Sequence, residues 1–331
     1  MSSITLFPGY WTVSGRRIRW RKNGNKLVGA SILQGDQSKS ISLSKKQDIF
    51  TASDVRLESI MFGRGDDQII ANNELWVGYY AYGYVDMGDG SDSISVSKYL
   101  KVDSGDSLDL GSGNDSVNIR PSTTGTQNNG LMSLGLIQAG EGDDSIYCDY
   151  NAGGASIFLS DGGAIDLGLG NDIITGFNGT GLSAHISKGA YLATGDGDDV
   201  VDFLTGGVTL GQAGYALGVH VNLGNGNDRA YLNINKSRVL GASDGPGGYF
   251  TGGDGLDTLL LPEGYYKISR DPDGIQVFDF TFDDGRKFAV HSFERLGNAL
   301  TGVTSELREG NVYIIDGGLF LRNQDGDFIA Y

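Results

Sequence analysis

Residues 111–117 read Gly-Ser-Gly-Asn-Asp-Ser-Val, and residues 140–146 repeat the pattern as Gly-Glu-Gly-Asp-Asp-Ser-Ile. The shared core is G-x-G-x-D, and the chain holds eight copies of it, at residues 63–67, 88–92, 111–115, 140–144, 168–172, 195–199, 224–228 and 253–257. The first glycines of successive copies are 25, 23, 29, 28, 27, 29 and 29 residues apart. Such a near-constant interval indicates a structural repeat.

The residues on both sides of the motif also repeat. The third residue before the first glycine is apolar, as in Val85 and Leu108, and so is the residue directly before that glycine in most copies, as in Met87 and Leu110, while the residue between them is mostly polar. This alternation with period two predicts that a strand with one buried face enters the turn. A second strand should leave it, because an apolar residue follows each Asp by two positions: Ile69, Ile94, Val117, Ile146, Ile174, Val201, Ala230 and Leu259.

The length of the repeat predicts the architecture. An interval of roughly 27 residues leaves room for a third side in each coil, since strands take about five residues and turns a few more. Residues 156–159 and 208–210 are the candidates for that side. We therefore expect an all-β protein, a right-handed parallel β-helix (β-solenoid) of about eight coils with N- and C-terminal β caps. The predicted boundaries are residues 1–60 for a basic N-terminal β cap, 61–260 for the solenoid and 261–331 for a C-terminal β cap.

Charge is unevenly distributed along the chain. Residues 1–60 contain 10 Lys and Arg against 4 Asp and Glu, although the whole chain has a net charge of −16. The basic run at residues 16–22, with Trp11 and Trp20, predicts a solvated β-edge whose charges hinder aggregation; the alternative is a site for an acidic polymer. The rest of the chain is acidic, which argues against a nucleic-acid partner.

Composition narrows the class further. The chain has 54 glycines without a three-residue period, only 5 prolines and 39% hydrophobic residues, which is typical of a turn-rich folded protein. Cys148 is the only cysteine, so an internal disulfide is excluded. No apolar run is long enough for a membrane span, and the first residues lack the pattern of a cleaved signal peptide. An extracellular or particle-surface location would then be reached without a cleaved signal, or in a virion.

The turns are candidate metal sites. Glycine permits the positive φ angles of a loop lined by carbonyl groups, and Asp supplies a hard anionic oxygen of the kind that calcium prefers. Two turns stacked one coil apart could complete a calcium shell, so eight turns allow at most 8 − 1 = 7 sites between coils. The alternative is plain turn chemistry, in which Asn and Asp bond to the local backbone. The candidate ligand residues are Gly63, Gly65, Asp67, Gly88, Gly90, Asp92, Gly111, Gly113, Asp115, Gly140, Gly142, Asp144, Gly168, Gly170, Asp172, Gly195, Gly197, Asp199, Gly224, Gly226, Asp228, Gly255 and Asp257.

The motif resembles the nonapeptide G-G-x-G-x-D-x-U-x of the repeats-in-toxin (RTX, haemolysin-type) calcium-binding family. Residues 111–117 and 224–228 match everything except the first glycine, which an apolar residue replaces, and the motif recurs once per coil instead of every nine residues. The resemblance covers roughly residues 60–260. It implies Ca²⁺ bound between stacked coils by the Asp side chains and the turn carbonyls.

No catalytic pattern accompanies the repeat. His185 and His220 should lie on different sides of the coil and His291 in the C-terminal cap, and the sequence contains no G-x-S-x-G elbow, zinc cluster or phosphate loop. We expect a non-enzymatic, calcium-stabilised surface protein with a structural or attachment role, such as an adhesin, fibre or layer protein of a cell surface or virus particle. Its partner would be a surface glycan or a protein scaffold, and homo-oligomers are compatible with the sequence. The alternative is a polysaccharide lyase or epimerase on a β-helix.

An aromatic cluster offers a candidate glycan contact. Trp76, Tyr79, Tyr80, Tyr82 and Tyr84 could stack on sugars, or could form an aromatic loop packed over the first coils.

Overall fold

A computed structural model describes residues 9–13, 16–20, 22–23, 26–28, 31–33, 41–42, 47–57, 59–78, 83–120, 129–150, 153–211, 220–240, 248–271, 276–323 and 325–331. Before residue 47 the description covers the backbone alone. The described chain is almost entirely β, with a single short 3₁₀ helix at Ile234–Lys236 and no α-helix among the described residues. No helix in these ranges is long and apolar enough to cross a membrane.

The main body is a parallel β-solenoid with three faces. The strands that lead into the G-x-G-x-D turns form the entry face, those that leave the turns form the exit face, and the rest form the third face. Each strand pairs in parallel with its equivalent one coil away, as Val85 does with Leu108 and Ile94 with Val117. The candidate third-side segments do form strands of the third face, at Ala155–Leu159 and Val208–Leu210.

The strand bounds follow these faces. The entry face consists of Ile41–Ser42, Ser59–Met61, Tyr84–Asp86, Ser107–Asp109, Leu136–Glu141, Ala164–Leu169, Tyr191–Ala193, His220–Asn222, Tyr249–Thr251 and Lys287–His291. The exit face consists of Lys26–Val28, Ser93–Val96, Ser116–Ile119, Ser145–Asp149, Ile173–Phe177, Val200–Phe203, Arg229–Leu232, Thr258–Leu261 and Arg295–Asn298. The third face consists of Tyr99–Val102, Asn129–Ser133, Ala155–Leu159, Leu182–Ile186, Val208–Leu210 and Arg238–Val239. Two long strands, Ile49–Leu57 and Gln68–Val77, contribute to both the exit and the third face.

The solenoid has about six turns, fewer than the eight expected. In the described chain, six coils pass through three separate strands, from Tyr84–Asp86 to Arg238–Val239. The first motif belongs to a coil whose exit and third faces are one long strand, Gln68–Val77. The last motif belongs to a coil that leaves the solenoid after Leu261 to form antiparallel strands. Counting motifs therefore overestimates the number of complete coils.

The core lies inside the three faces. The apolar columns predicted from the sequence point inward, and Phe62, Met87, Ile94 and Val117 are at most 1% exposed. Thr194 replaces the apolar residue before one turn, and its hydroxyl donates to the carbonyl of Leu223, so the buried oxygen is satisfied.

Antiparallel structure flanks the solenoid at both ends. At the N-terminus, Gly9–Val13, Arg16–Trp20 and Ser31–Leu33 form a sheet, and Lys22–Asn23 pairs with Lys26–Val28. The prediction of a β-edge for the basic run was wrong, because Arg16–Trp20 is the central strand of its sheet. A run of basic residues does not indicate which neighbours a strand pairs with.

The C-terminal antiparallel strands extend the entry-face sheet. They are Gly264–Arg270, Val277–Thr281, Gly310–Ile315, Gly318–Arg322 and Phe328–Ala330, while Thr304–Glu306 pairs with Arg295–Asn298. Val277–Thr281 pairs antiparallel with Lys287–His291, so the two strands form a hairpin around residues 283–285.

Candidate metal-binding column

Each G-x-G-x-D turn depends on its two glycines. Gly140 and Gly142 have φ angles of 108° and 129°, which side chains rarely adopt. A Cβ atom on Gly140 would lie 1.8 Å from the carbonyl oxygen of Gly111, and one on Gly142 would lie 2.0 Å from that of Gly113. Successive turns therefore stack backbone against backbone, and only glycine fits.

The eight Asp side chains form one column inside these turns. The Oδ1 atom of Asp144 accepts the backbone N–H of Asp115 at 2.7 Å, and that of Asp172 accepts the N–H of Asp144 at 2.7 Å. The same bond joins Asp67 to Asp92, Asp92 to Asp115, Asp172 to Asp199, Asp199 to Asp228, and Asp228 to Asp257. The predicted stacking of all eight turns in one column is confirmed.

The second oxygen of each carboxyl group has no hydrogen-bond partner. These Oδ2 atoms are buried and unpaired in Asp67, Asp92, Asp115, Asp144, Asp172, Asp199, Asp228 and Asp257. The residues themselves are at most 2% exposed. A buried carboxylate oxygen without a partner is costly, and it is commonly neutralised by a proton or by a cation.

Burial raises the pKa of the column. The pKa rises from an ordinary 3.8 to about 8 for Asp115, where burial is the largest cause and the carboxylates of Asp144 and Asp92 add to it; the hydrogen bond from the Asp92 amide acts in the opposite direction. The same main cause raises the pKa to about 7 in Asp67, Asp172 and Asp228 and to about 6 in Asp92, Asp144 and Asp257, and raises that of Asp199 as well. Without a cation, the column therefore takes up protons at a higher pH than ordinary Asp side chains do.

Two further carboxyl groups extend the column beyond the motifs. Asp48, which is 6% exposed, donates its backbone N–H to Oδ1 of Asp67 at 2.5 Å, as each later Asp does to its successor. At the other end, Oε2 of Glu294 accepts the N–H of Asp257 at 2.8 Å. The motif marks neither residue, because neither lies in a glycine turn. Asp48 precedes Asp67 by 19 residues, fewer than the 23–29 residues between motifs, so the interval did not mark it either.

A second, exposed ladder runs beside the column at the fourth motif position. Asn171 donates its N–H to Oδ1 of Asp143 at 2.8 Å, and Asp198 donates its own to Oδ1 of Asn171 at 2.9 Å. The N–H group here belongs to the later coil, whereas in the inner column it belongs to the earlier one. The two ladders therefore tie each turn to both of its neighbours.

The donor set decides which cation could bind. Among the described residues, no group of three or more His, Cys, Asp or Glu side chains converges as a metal site. A cation at the column would thus depend on unpaired Asp oxygens together with backbone carbonyls and water. That oxygen-only set fits a hard cation such as calcium and does not fit zinc, which prefers nitrogen and sulfur ligands.

His185 lies on a different face from the other two histidines, whereas His220 and His291 both contact the Tyr249 ring on the entry face. His185 is on the third face beside the Phe158 ring, whereas His220 is on the entry face and stacks on Tyr249 at 4.7 Å. Burial lowers the pKa of His185 and of His291. No hydrogen bond or ion pair joins any of the three to a carboxyl group in the part of the chain that the structure describes.

The aromatic cluster predicted near residue 80 is only partly described. Trp76 lies on the third face with the Lys101 ammonium 3.9 Å from its ring, and Tyr84 lies on the entry face, 40% exposed. Tyr79, Tyr80 and Tyr82 lie outside the described residues. The two described members are on different faces.

Comparison with protein-family models, with curated proteins and with solved structures gave no match. The RTX resemblance therefore remains a prediction from the motif, and the functional argument depends on the geometry of the column.

Proposed function

We propose that this protein is a calcium-stabilised, non-enzymatic β-solenoid that serves as a structural or attachment component of a cell surface or virus particle. The observation that supports it most directly is the unbroken column of buried Asp side chains, each with one unpaired oxygen. An isosteric Asn would accept the same backbone N–H without a buried charge. The presence of Asp in every copy favours a role for that charge.

In this proposal the two carboxylate oxygens have different tasks. Oδ1 fixes the register between coils through the backbone N–H of the preceding Asp, and Oδ2 is the ligand atom. Calcium supplies the positive charge that offsets neighbouring carboxylates in the column. Seven sites between eight motifs would contribute 7 × 2 = 14 positive charges against a net charge of −16.

A structural or attachment role is supported by what surrounds the column. Among the described residues, no hydrogen bond or ion pair joins a histidine to a carboxyl group, which favours a role without turnover. A stack of coils that contact mainly their neighbours gives a rigid, elongated body, which suits a spacer or fibre. Millimolar calcium outside cells matches the weak affinity, about 0.1–1 mM, of extracellular calcium modules. We therefore place the protein outside the cell or on a particle.

The exchange Asp144→Asn tests calcium binding at one position of the Asp column. Asn keeps an oxygen for the Asp115 N–H and replaces the unpaired oxygen by a neutral amide. In chelator, we expect the variant to melt at or above the wild-type temperature. In excess calcium it should gain less than the wild type, by about 3–5 °C if one site contributes about 1.4–2.7 kcal/mol.

Glu141→Gln is the matched control, because it removes one negative charge from the exposed second position of the same turn. It should retain the full calcium increment in melting temperature. An Asp144→Asn increment equal to that of the wild type would contradict the assignment. Release of unsaturated or epimerised products from an acidic polysaccharide would instead support the lyase or epimerase alternative.

A further inference from the structure

The outer face of the C-terminal sheet carries four aromatic side chains in mutual contact. Adjacent strands contribute Tyr265, Tyr313, Phe320 and Phe328, which we call the aromatic platform. The opposite face of the same strands packs into the core, where Tyr266, Val312 and Ile314 are at most 3% exposed. The platform is therefore separate from the core that holds the sheet in place.

The platform rings form a continuous row. The centroids of Tyr265 and Tyr313 are 4.8 Å apart, those of Tyr313 and Phe328 are 5.1 Å apart, and those of Phe320 and Phe328 are 6.2 Å apart. Four neighbouring strands span about 14 Å, which is three inter-strand spacings. Tyr265 is 44% and Phe328 49% exposed. A group of exposed rings of this kind is typical of a binding surface.

A cleft adjoins one end of the platform. Tyr265 lines it together with Lys267, Asp283, Thr281 and Asn235. In the described part of the chain, Lys267 and Asp283 form no ion pair, and both are exposed. The Tyr265 hydroxyl donates to Oδ1 of Asn311 at 2.8 Å, which adds a polar group beside the rings. Hydrogen-bonding groups thus meet an apolar surface at this point.

We propose that the platform and its cleft bind a neutral oligosaccharide. A sugar ring has an apolar C–H face that packs on an aromatic ring and a rim of hydroxyl groups that need hydrogen-bond partners. The platform offers aromatic rings for the C–H face, and Lys267, Asp283 and Asn311 offer hydrogen-bond partners for the hydroxyl groups. Such a combination of aromatic walls with a few polar groups is the usual composition of a small-ligand site.

The net charge of the C-terminal cap favours neutral glycans over acidic ones. Residues 261–331 contain 7 Lys and Arg against 12 Asp and Glu, a net charge of 7 − 12 = −5. Polyanionic glycans would be repelled by this cap, whereas a neutral chain would not. This site would specify the ligand of the attachment role, so it rests on the proposed function. It shares no residue with the Asp column.

The test is binding of short neutral oligosaccharides of glucose, galactose, mannose and N-acetylglucosamine, with a polyuronate oligosaccharide for comparison. We expect at least one neutral series to bind, and Tyr265→Ala and Phe328→Ala each to weaken it about tenfold. Tyr249→Ala is the matched control, because Tyr249 is 38% exposed on the entry face of the solenoid. It should leave the affinity within about twofold of the wild type.

Three results would overturn the proposal. They are binding of none of these sugars, binding that both platform variants leave intact, and loss of a dimer in sedimentation as the only effect of the variants. The last result would show that the platform and its edge strand Phe328–Ala330 pair with a second copy of the chain. Calcium-dependent melting of the platform variants is a separate readout, so a failure here is distinguishable from a failure of the calcium proposal.

Discussion

In calcium-free buffer, the protein should lose thermal stability as the pH rises from about 4 to about 8. Seven of the eight column carboxyl groups have a folded pKa of about 6 to 8, above the ordinary value of 3.8, and burial raises the pKa of Asp199 as well. Between those values the folded state holds protons that the unfolded state has released, so the free energy of unfolding falls with rising pH. It stops falling above the folded pKa. Each pKa unit corresponds to about 1.4 kcal/mol per group.

The measurement is a series of thermal melts in chelator at half-unit pH steps. A shift of two to three units at one Asp alone corresponds to about 3–4 kcal/mol, so we expect the melting temperature to fall by at least about 5–10 °C. Asp144→Asn removes one titrating rung and should flatten the profile, whereas Glu141→Gln should not. A melting temperature that rises across the interval would show that the column is not protonated in the folded state.

The second large effect is expected from Gly140→Ala. The new Cβ would lie 1.8 Å from the carbonyl oxygen of Gly111 at a φ of 108°, so two stacked backbones must separate. We expect a loss of about 3 kcal/mol or more in the free energy of unfolding, measured by chemical denaturation.

Gly162→Ala is the matched control for this exchange. Gly162 has a φ of 81°, but nothing lies within 4 Å of a Cβ placed there. The Gly162→Ala variant should lose only the conformational cost of a positive φ angle, about 1–2 kcal/mol. Equal losses in the two variants would mean that close stacking of the turns does not stabilise the solenoid.

The column and the faces were predictable because they repeat. Inward residues such as Ile94 and Val117 follow each turn at a fixed offset, and a strand with period two can bury only one of its faces. Asp48 and Glu294 escaped prediction because they occupy column positions without the glycines that mark a turn. Glu294 also has a side chain one methylene longer than that of Asp, and its carboxyl group accepts the backbone N–H of Asp257.

The aromatic platform had no signal in the sequence. Tyr265 lies far from the other three rings in the chain, and it joins their row only through three successive strand pairings. Antiparallel register of this kind is set by turn lengths and by packing on the solenoid, which a single sequence does not display. The extent of the solenoid was also misjudged, because a turn motif marks a corner and not a complete coil.

The most direct test of the calcium column is the melting temperature of the wild-type protein at pH 7.5, in chelator and in about 10 mM calcium. Sites with dissociation constants of about 0.1–1 mM would each add about 1.4–2.7 kcal/mol at that concentration. We predict a clearly higher melting temperature in calcium than in chelator, with a smaller increase in equimolar magnesium. Identical melting temperatures in calcium and chelator would contradict the account and leave the Asp column as a ladder of hydrogen bonds between coils.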